Sequence, residues 1–418
     1  MFNKKVAIII FILAFATRLL FILLIPPHPL VSDDKDYDQL GFSLSQGEGY
    51  VNSLGEPTAL RPPIYPLFLG IIYYIAGHDL FWVRFMQAIL GAGICLLMYL
   101  ITTIIFDGTI ANISGFLCCF YPPLIVWTSE IMSETLFTFL LLLGIWKIIS
   151  RNNYRSLLVS GIIFGFALLT RSNLIFFFPF LFYWIFLSRK HNFLKAMAIL
   201  MSGVLLILLP WTFRNYYRLN SFVPLANISG ITFYNSYVVP DKGFGFTSLK
   251  GVDDEYYKLK NEAEQRRYLM RKAIEYIKKN PKKVAKLTAL KLLHFIYPLD
   301  GYWYSISFGS KYNIFWGIIF CFSLVGIVNN IKDHDINEKL IYLLFISFLI
   351  SVIVFYGIPR SRLPIEPLLV CFAARGIIDL FKKNRYAFSM IAFANIMLFI
   401  IFRIFKLQVL FDYLKKWI

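Results

Sequence analysis

Four carboxylates, Asp33, Asp34, Asp36 and Asp38, fall within six residues, directly after a hydrophobic stretch at 6–25 and a Pro26-Pro27-His28-Pro29 break. Carboxylates at the mouth of an apolar helix can take a proton from a hydroxyl or hold a divalent cation. A solvated acidic loop is the ordinary explanation of such a run on its own. Two further carboxylates, Glu130 and Glu134, recur in Trp127-Thr128-Ser129-Glu130-Ile131-Met132-Ser133-Glu134, between two later apolar stretches. Arginines stand at comparable junctions: Arg61 before Pro62-Pro63, Arg171 in Thr170-Arg171-Ser172-Asn173, Arg214 after Pro210-Trp211, and Arg360 with Arg362 in Pro359-Arg360-Ser361-Arg362. Guanidinium groups can clasp a phosphate through paired N–H donors. Each residue also has a plain structural reading: Arg360 and Arg362 as interfacial anchors, Glu130 as a helix N-terminal charge favoured by the dipole. Carboxylates and arginines around one cavity at a membrane edge would suit a lipid-phosphate substrate.

The elements that must carry these groups are apolar helices. The chain has 418 residues, of which 58% are hydrophobic, and a mean hydropathy of +0.64. Repeated apolar runs near the ~20 residues needed to cross a bilayer make the fold an all-α polytopic membrane protein and exclude a soluble domain or a β-barrel. The runs lie at 6–25, 81–106, 110–127, 136–149, 157–169, 174–187, 196–211, 314–328, 340–356, 363–381 and 386–405, about eleven transmembrane helices. The first has no small-residue cleavage site after it and reads as a retained anchor. The run at 64–76 is too short to span and is placed as a helix lying on the surface in the first outer loop.

The net charge of +18 belongs to residues flanking apolar runs, so it points to topology and membrane lipids and not to nucleic acid. With the N-terminus inside, Lys4, Lys5, Lys147, Arg151, Arg155, Arg189, Lys190, Lys195, Lys332, Lys339, Lys382, Lys383 and Arg385 fall in short cytoplasmic segments. Only Arg171, Arg360 and Arg362 then fall in short outer ones. That asymmetry turns the acidic run and the long segment 212–311 outward, to the periplasm or cell exterior of a bacterial-type inner or plasma membrane. The organisation is an N-terminal transmembrane module at 1–211 with its first outer loop at 26–80, an extracytoplasmic segment at 212–311, and a C-terminal transmembrane module at 312–418. The segment 212–311 holds a turn at 240–245, a charged helix pattern at 255–280 and an amphipathic surface helix at 282–297, and reads as lacking a core of its own. Residues 406–418 read as an amphipathic tail. Arg18, inside the first run, either faces the bundle interior or snorkels to the interface. The five cysteines all lie in apolar runs and read as small hydrophobes.

In order, the motifs resemble those of the GT-C glycosyltransferases, with the protein O-mannosyltransferases and the lipid A aminoarabinose transferase as the nearest families. Asp33-Asp34-Lys35-Asp36-Tyr37 is similar to their first-loop Asp-acidic-x-x-Tyr signature. Gly47-Glu48-Gly49-Tyr50, Arg61-Pro62-Pro63-Ile64-Tyr65-Pro66, Ser129-Glu130 with Ser133-Glu134, Leu169-Thr170-Arg171-Ser172-Asn173, Pro210-Trp211-Thr212-Phe213-Arg214-Asn215-Tyr216 and Arg360-Ser361-Arg362-Leu363-Pro364-Ile365-Glu366-Pro367 follow in sequence. The resemblance implies inverting transfer of a sugar from a polyprenyl-phosphate donor to a lipid, glycan or protein acceptor. It implies Asp33 as base, with Asp34 assisting it or binding a divalent metal beside it, and Glu134 at the same cavity. Arg61, Arg171, Arg214, Arg360 and Arg362 would contact the donor phosphate, and Tyr37, Tyr65 and Glu130 would line the substrate pocket. The chain departs from the aminoarabinose transferases at Leu60-Arg61-Pro62-Pro63, where they carry Glu-Lys-Pro-Pro; the glutamate missing here is one of their expected metal ligands. A transporter or lipid flippase, or a phosphotransferase, is the rival reading. A transporter would place charges mid-membrane in repeated halves, and no repeat is visible.

Overall fold

The computed structural model of the chain describes residues 2–151, 153–238, 252–259, 261–296, 313–329 and 335–383. Among these residues the regular structure is helical apart from one isolated antiparallel bridge, Val51 to Pro57, with turns and irregular loops between the helices. The expected turn at 240–245, the last span at 386–405 and the tail at 406–418 lie outside the described residues.

The apolar runs become helices where a short polar side chain can start them. Helix α1 (Lys4–Leu24) begins as the Asn3 side chain accepts the Lys5 and Val6 N–H groups. After α2 (Asp33–Ser45) and α3 (Ile64–Ala76), Asp79 starts α4 (Leu80–Ile105) and Asp107 starts α5 (Gly108–Phe120). Each cap satisfies N–H groups that the helix cannot satisfy itself. The run expected to span 110–127 breaks at Tyr121. Pro122 has no N–H to continue α5, so the chain restarts as α6 (Pro122–Val126) and turns before α7 (Glu134–Ser150). Helix α8 (Tyr154–Leu168), a 3-10 turn at Ser172–Phe177, α9 (Phe178–Ser188) and α10 (Phe193–Leu219) complete the first half. The second half contains α11 (Ile228–Tyr237), α12 (Asp254–Lys258), α13 (Glu262–Lys279), α14 (Pro281–Ile296), α15 (Ile314–Asn329), α16 (Ile336–Val354) and α17 (Glu366–Lys383).

Four of the described helices, Lys4–Leu24, Leu80–Ile105, Lys190–Leu219 and Ile336–Val354, are long and apolar enough to cross a membrane. Several other expected spans are shorter; α5, with 13 residues, covers only ~20 Å of a ~30 Å hydrocarbon core. The apolar core is continuous. Helix α4 packs on α1, α5 and α7, α8 joins α7 to α10, and α17 joins α15 to α5. Backbones touch where glycines meet: a Cβ on Gly161 would sit 2.1 Å from the Leu200 carbonyl oxygen, and one on Gly326 would sit 2.0 Å from that of Phe372. Arg18 faces the interior. It is fully buried and donates to the Ala14, Cys118 and Cys119 carbonyls and to Cys95 Sγ.

Helix α3 has the bounds of the expected surface helix. It buries Tyr65 and Leu69 against α2 and leaves Ile71, Tyr74 and Ile75 bare, an apolar face for a lipid surface. The segment expected to face outward differs from expectation in two respects. It has a small aromatic core of its own, Tyr234, Tyr256, Tyr268 and Leu269, joining α11, α12 and α13. And Lys291, expected on the wet face of the amphipathic helix, is fully buried in α14, because that helix packs onto α16 instead of lying free.

Candidate active site

The loop after α1 and the start of α2 aim Asp33 and Asp34 in opposite directions. Asp34 serves the backbone: its Oδ1 accepts N–H bonds from Val31 (3.0 Å), Ser32 (2.7 Å) and Lys35 (2.9 Å), which fixes the first turn of α2. Its Oδ2 lies 3.7 Å from His28 Nδ1. Asp33 points the other way, into a bed of arginines. Arg61 donates to its Oδ1 and Arg360 to its Oδ2, both at 2.7 Å. Arg61 also reaches Asp36 Oδ2 at 2.8 Å. Arg360 continues to Glu134, 3.6 Å away, and Arg171 meets the same Glu134 oxygen at 2.5 Å. The result is an alternating row, Arg61, Asp33, Arg360, Glu134 and Arg171, drawn from five separate parts of the chain.

Tyr37 lies under this row. The Arg61 guanidinium sits 5.4 Å from its ring centroid, and its hydroxyl is 3.5 Å from Ser133 Oγ. Tyr65 meets Tyr37 edge-on at 5.0 Å and donates to Gln87 Oε1 at 3.0 Å. Gln87 in turn donates to the Thr128 and Glu130 carbonyls at 3.1 and 2.6 Å, pinning the turn that delivers Glu134. Glu130 itself pairs with His28 Nε2.

Two predicted arginines lie elsewhere. Arg214 donates to the Thr58 and Tyr50 carbonyls, both at 2.6 Å, and rests on the Tyr50 and Trp211 rings; it clamps the first loop. Arg362 pairs with Glu366 at 2.8 Å, donates to the Phe295 carbonyl at 3.1 Å and lies over Trp316. Each guanidinium has a near neighbour in sequence, Trp211 or Glu366, but is also drawn by backbone carbonyls far along the chain that the linear sequence does not place beside it.

The loops are held in register by the outer segment. The Asn227 and Ile228 N–H groups donate to the Ala59 and Leu60 carbonyls at 2.9 and 3.0 Å, next to Arg61. Glu262 of α13 accepts from the Ala59 N–H at 2.9 Å. At the other end of α11, Ser236 donates to the Phe355 carbonyl and Tyr237 to that of Ile353, at 2.7 Å, next to the Arg360 loop. Helix α11 therefore bridges the two loops that bring arginines to Asp33. Gly47 and Gly49 let the first loop turn back, with φ of 79° and 88°.

Charge follows this geometry. Burial alone would raise the Asp33 carboxyl, but Arg360 and Arg61 outweigh it and hold the group well below the usual carboxylate range. Burial pulls both arginines down, yet Asp33 holds each above its ordinary range. Glu130 is pushed up by burial, against the pull of His28. The expected metal does not fit Asp33 and Asp34. Both Asp33 oxygens are taken by arginines, Asp34 looks away, and two adjacent guanidinium charges oppose a cation. Among the described residues no group of three His, Cys, Asp or Glu is disposed to hold an ion. An apolar cavity of about 640 Å³ is lined by Leu44, Tyr50, Ile64, Leu169, Trp211 and Arg214, and reaches the Arg61 segment at Pro63 and Ile64.

Sequence reasoning passed over His28 and Gln87. Gln87, a lone amide in an apolar helix, carried a signal of its own. His28 becomes visible only when separate loops meet.

A family model described as dolichyl-phosphate-mannose-protein mannosyltransferase matches residues 60–213. The apo oligosaccharyltransferase of Archaeoglobus fulgidus superposes with a TM-score of 0.55 at 14% identity, over 98% of this chain and 55% of that one. The same enzyme, AglB, in complex with an inhibitory peptide and a dolichol-phosphate gives the same TM-score, identity and coverage. ArnT from Cupriavidus metallidurans bound to undecaprenyl phosphate superposes with a TM-score of 0.48 at 11% identity, over 90% and 78% of the two chains. The chain spans about half the length of the AglB structures. No curated protein matches it in sequence. The resemblance read from the motifs thus holds at the level of the fold, which is shared with the AglB structure.

Proposed function

We propose that this GT-C-fold chain is an integral-membrane glycosyltransferase that moves a sugar from a polyprenyl-phosphate donor to a lipid, glycan or protein acceptor on the extracytoplasmic face. The observation that carries the reading is the Asp33 carboxylate clasped between Arg61 and Arg360, with Arg171 one carboxylate further on. A phosphate is the natural competitor for such guanidinium groups. On this reading the donor phosphate draws Arg61 and Arg360 toward itself and loosens both from Asp33. That matters because a carboxylate held ionised by two cations is a weak base; losing them restores its basicity.

The acceptor hydroxyl then attacks the anomeric carbon from the face opposite the phosphate, giving inversion. Its proton passes to Asp33. The bond from the anomeric carbon to the phosphate oxygen breaks, and its electron pair leaves with the phosphate, whose charge stays among the arginines. Glu134 keeps Arg171 and Arg360 in line. The apolar cavity beside the Arg61 segment offers room for the prenyl chain. No step requires a metal at Asp33.

The test is transfer from an undecaprenyl-phosphate sugar by purified chain in detergent or liposomes. Asp33→Asn should lose about 10²–10⁴-fold in kcat, the range expected for a general base, while still binding the carrier. Undiminished turnover would remove Asp33 from the chemistry.

A further inference from the structure

Among the buried polar atoms that close no well-formed hydrogen bond, one group gathers around the arginine row: Arg61 Nε, both Glu134 carboxylate oxygens, Arg360 Nε, both side-chain polar atoms of Asn235, and the Tyr356 hydroxyl. Arg61, Arg360 and Glu134 have their charged neighbours. Asn235 has only the Tyr356 hydroxyl, which interacts with its carboxamide. It is 1% exposed, and neither its Oδ1 nor its Nδ2 closes a well-formed hydrogen bond. A buried carboxamide without full pairing is costly, and native proteins rarely keep one without a use.

Its position suggests the use. Asn235 lies on α11, the helix tied at its start to Ala59 and Leu60 beside Arg61 and at its end to Ile353 and Phe355 beside Arg360. The neighbouring Ser236 and Tyr237 make those bonds, so the helix cannot roll to bring the amide to water. The Tyr356 hydroxyl lies toward Asn235 and within the field of Asp33, Arg360 and Arg61. A carboxamide that can both donate and accept, beside a phenol and next to a phosphate-binding row, suits vicinal hydroxyl groups.

We propose that Asn235 and Tyr356 bind the hydroxyl groups of the donor's sugar ring and so select the glycosyl group, while the arginines hold the phosphate. This rests on the glycosyltransferase reading above. Sites built to hydrogen-bond a substrate hydroxyl discriminate strongly, because without it their own polar atoms stay unpaired.

The test compares binding of undecaprenyl phosphate with that of undecaprenyl phosphates bearing mannose, glucose, galactose or 4-amino-4-deoxyarabinose, using the full chain in nanodiscs. Wild type should bind at least one sugar-bearing carrier about tenfold more tightly than the bare carrier. Asn235→Ala should erase that gain and leave bare-carrier binding within about twofold; Tyr356→Phe should remove part of it. Stability gives an independent readout. Asn235→Leu should melt at or above the wild-type temperature, since it removes an unpaired group. A retained sugar preference in Asn235→Ala, an equal loss for bare and sugar-bearing carriers, or a melting temperature several degrees lower in Asn235→Leu would each overturn the assignment. A wild type that binds bare carrier without any sugar preference overturns it too, leaving the phosphate site intact; a wild type that binds no carrier at all overturns the glycosyltransferase reading itself.

Discussion

Asp33 holds two arginines at once, and its ionisation depends on both. Because its folded carboxyl sits below the unfolded value, the stability it contributes is fully present above pH ~4 and is lost only as pH falls through the depressed folded value. Arg360→Gln removes one cation and leaves Arg61. It should cost roughly 1–3 kcal/mol, less than the full loss of a buried pair, because one partner remains. The acid loss of stability from this carboxyl should also be smaller, and be complete at a higher pH, than in wild type. Thermal melts between pH 3 and 7 read both effects; identical acid limbs in the two proteins would contradict the pairing. The residue types at this site were legible in the sequence, since carboxylates and arginines stand out in a chain this apolar. Their partners were not. Arg61, Arg214 and Arg362 look alike in the sequence, each near a proline or an aromatic residue. Only the fold shows that Arg61 meets Asp33 while Arg214 and Arg362 serve backbone carbonyls.

Helices tell a similar story at a larger grain. The surface helix at 64–76 could be read to the residue, because Pro62-Pro63 before it and Gly77 after it set both ends and its length rules out a span. The break at Tyr121 was written in Pro122-Pro123 but hidden by hydropathy, which continues unbroken across it. Helix α14 shows how tertiary packing overrides an amphipathic pattern. Lys291 is drawn inside, where it donates to Ser236 Oγ at 2.6 Å and lies over the Tyr237 ring. Burial pulls its ammonium down to about 7. Its folded value is therefore below the unfolded one near 10.4, so the penalty is full below pH 7 and fades as pH rises toward 10. Wild type should gain stability over that window. Lys291→Met, of similar length and without charge, should flatten the curve and match or exceed wild type at pH 7, because Ser236 still donates to Phe355 and Tyr237 still donates to Ile353. Melting temperature against pH for the two proteins decides this; equal slopes would mean that Lys291 is solvated after all. A different packing rule governs the α8–α10 contact. Gly161→Val would press on the Leu200 backbone rather than on a side chain that can move, and should cost at least about 1–3 kcal/mol.

For the whole molecule, the question is which way the arginine row faces. Helix α7 runs from Glu134, in the row, to Ser150, beside Arg151 and Arg155. The acidic site and the basic flank are therefore at opposite ends of one element, and the proposed outward orientation rests on the positive-inside bias. That orientation suits the proposed chemistry, since a lipid carrier is the form in which an activated sugar reaches the outer face. The native cysteines leave the assay clean: Cys95, Cys118, Cys119 and Cys371 are buried and Cys321 is half-buried. A single cysteine at exposed Glu56, in the first loop, should react with a membrane-impermeant maleimide in right-side-out vesicles. One at exposed Arg151 should react only after the membrane is opened. The reverse pattern would turn the Asp33 row toward the cytoplasm, where nucleotide sugars would also be at hand. The case for a lipid-linked donor would then lose its topological support while the fold stood unchanged.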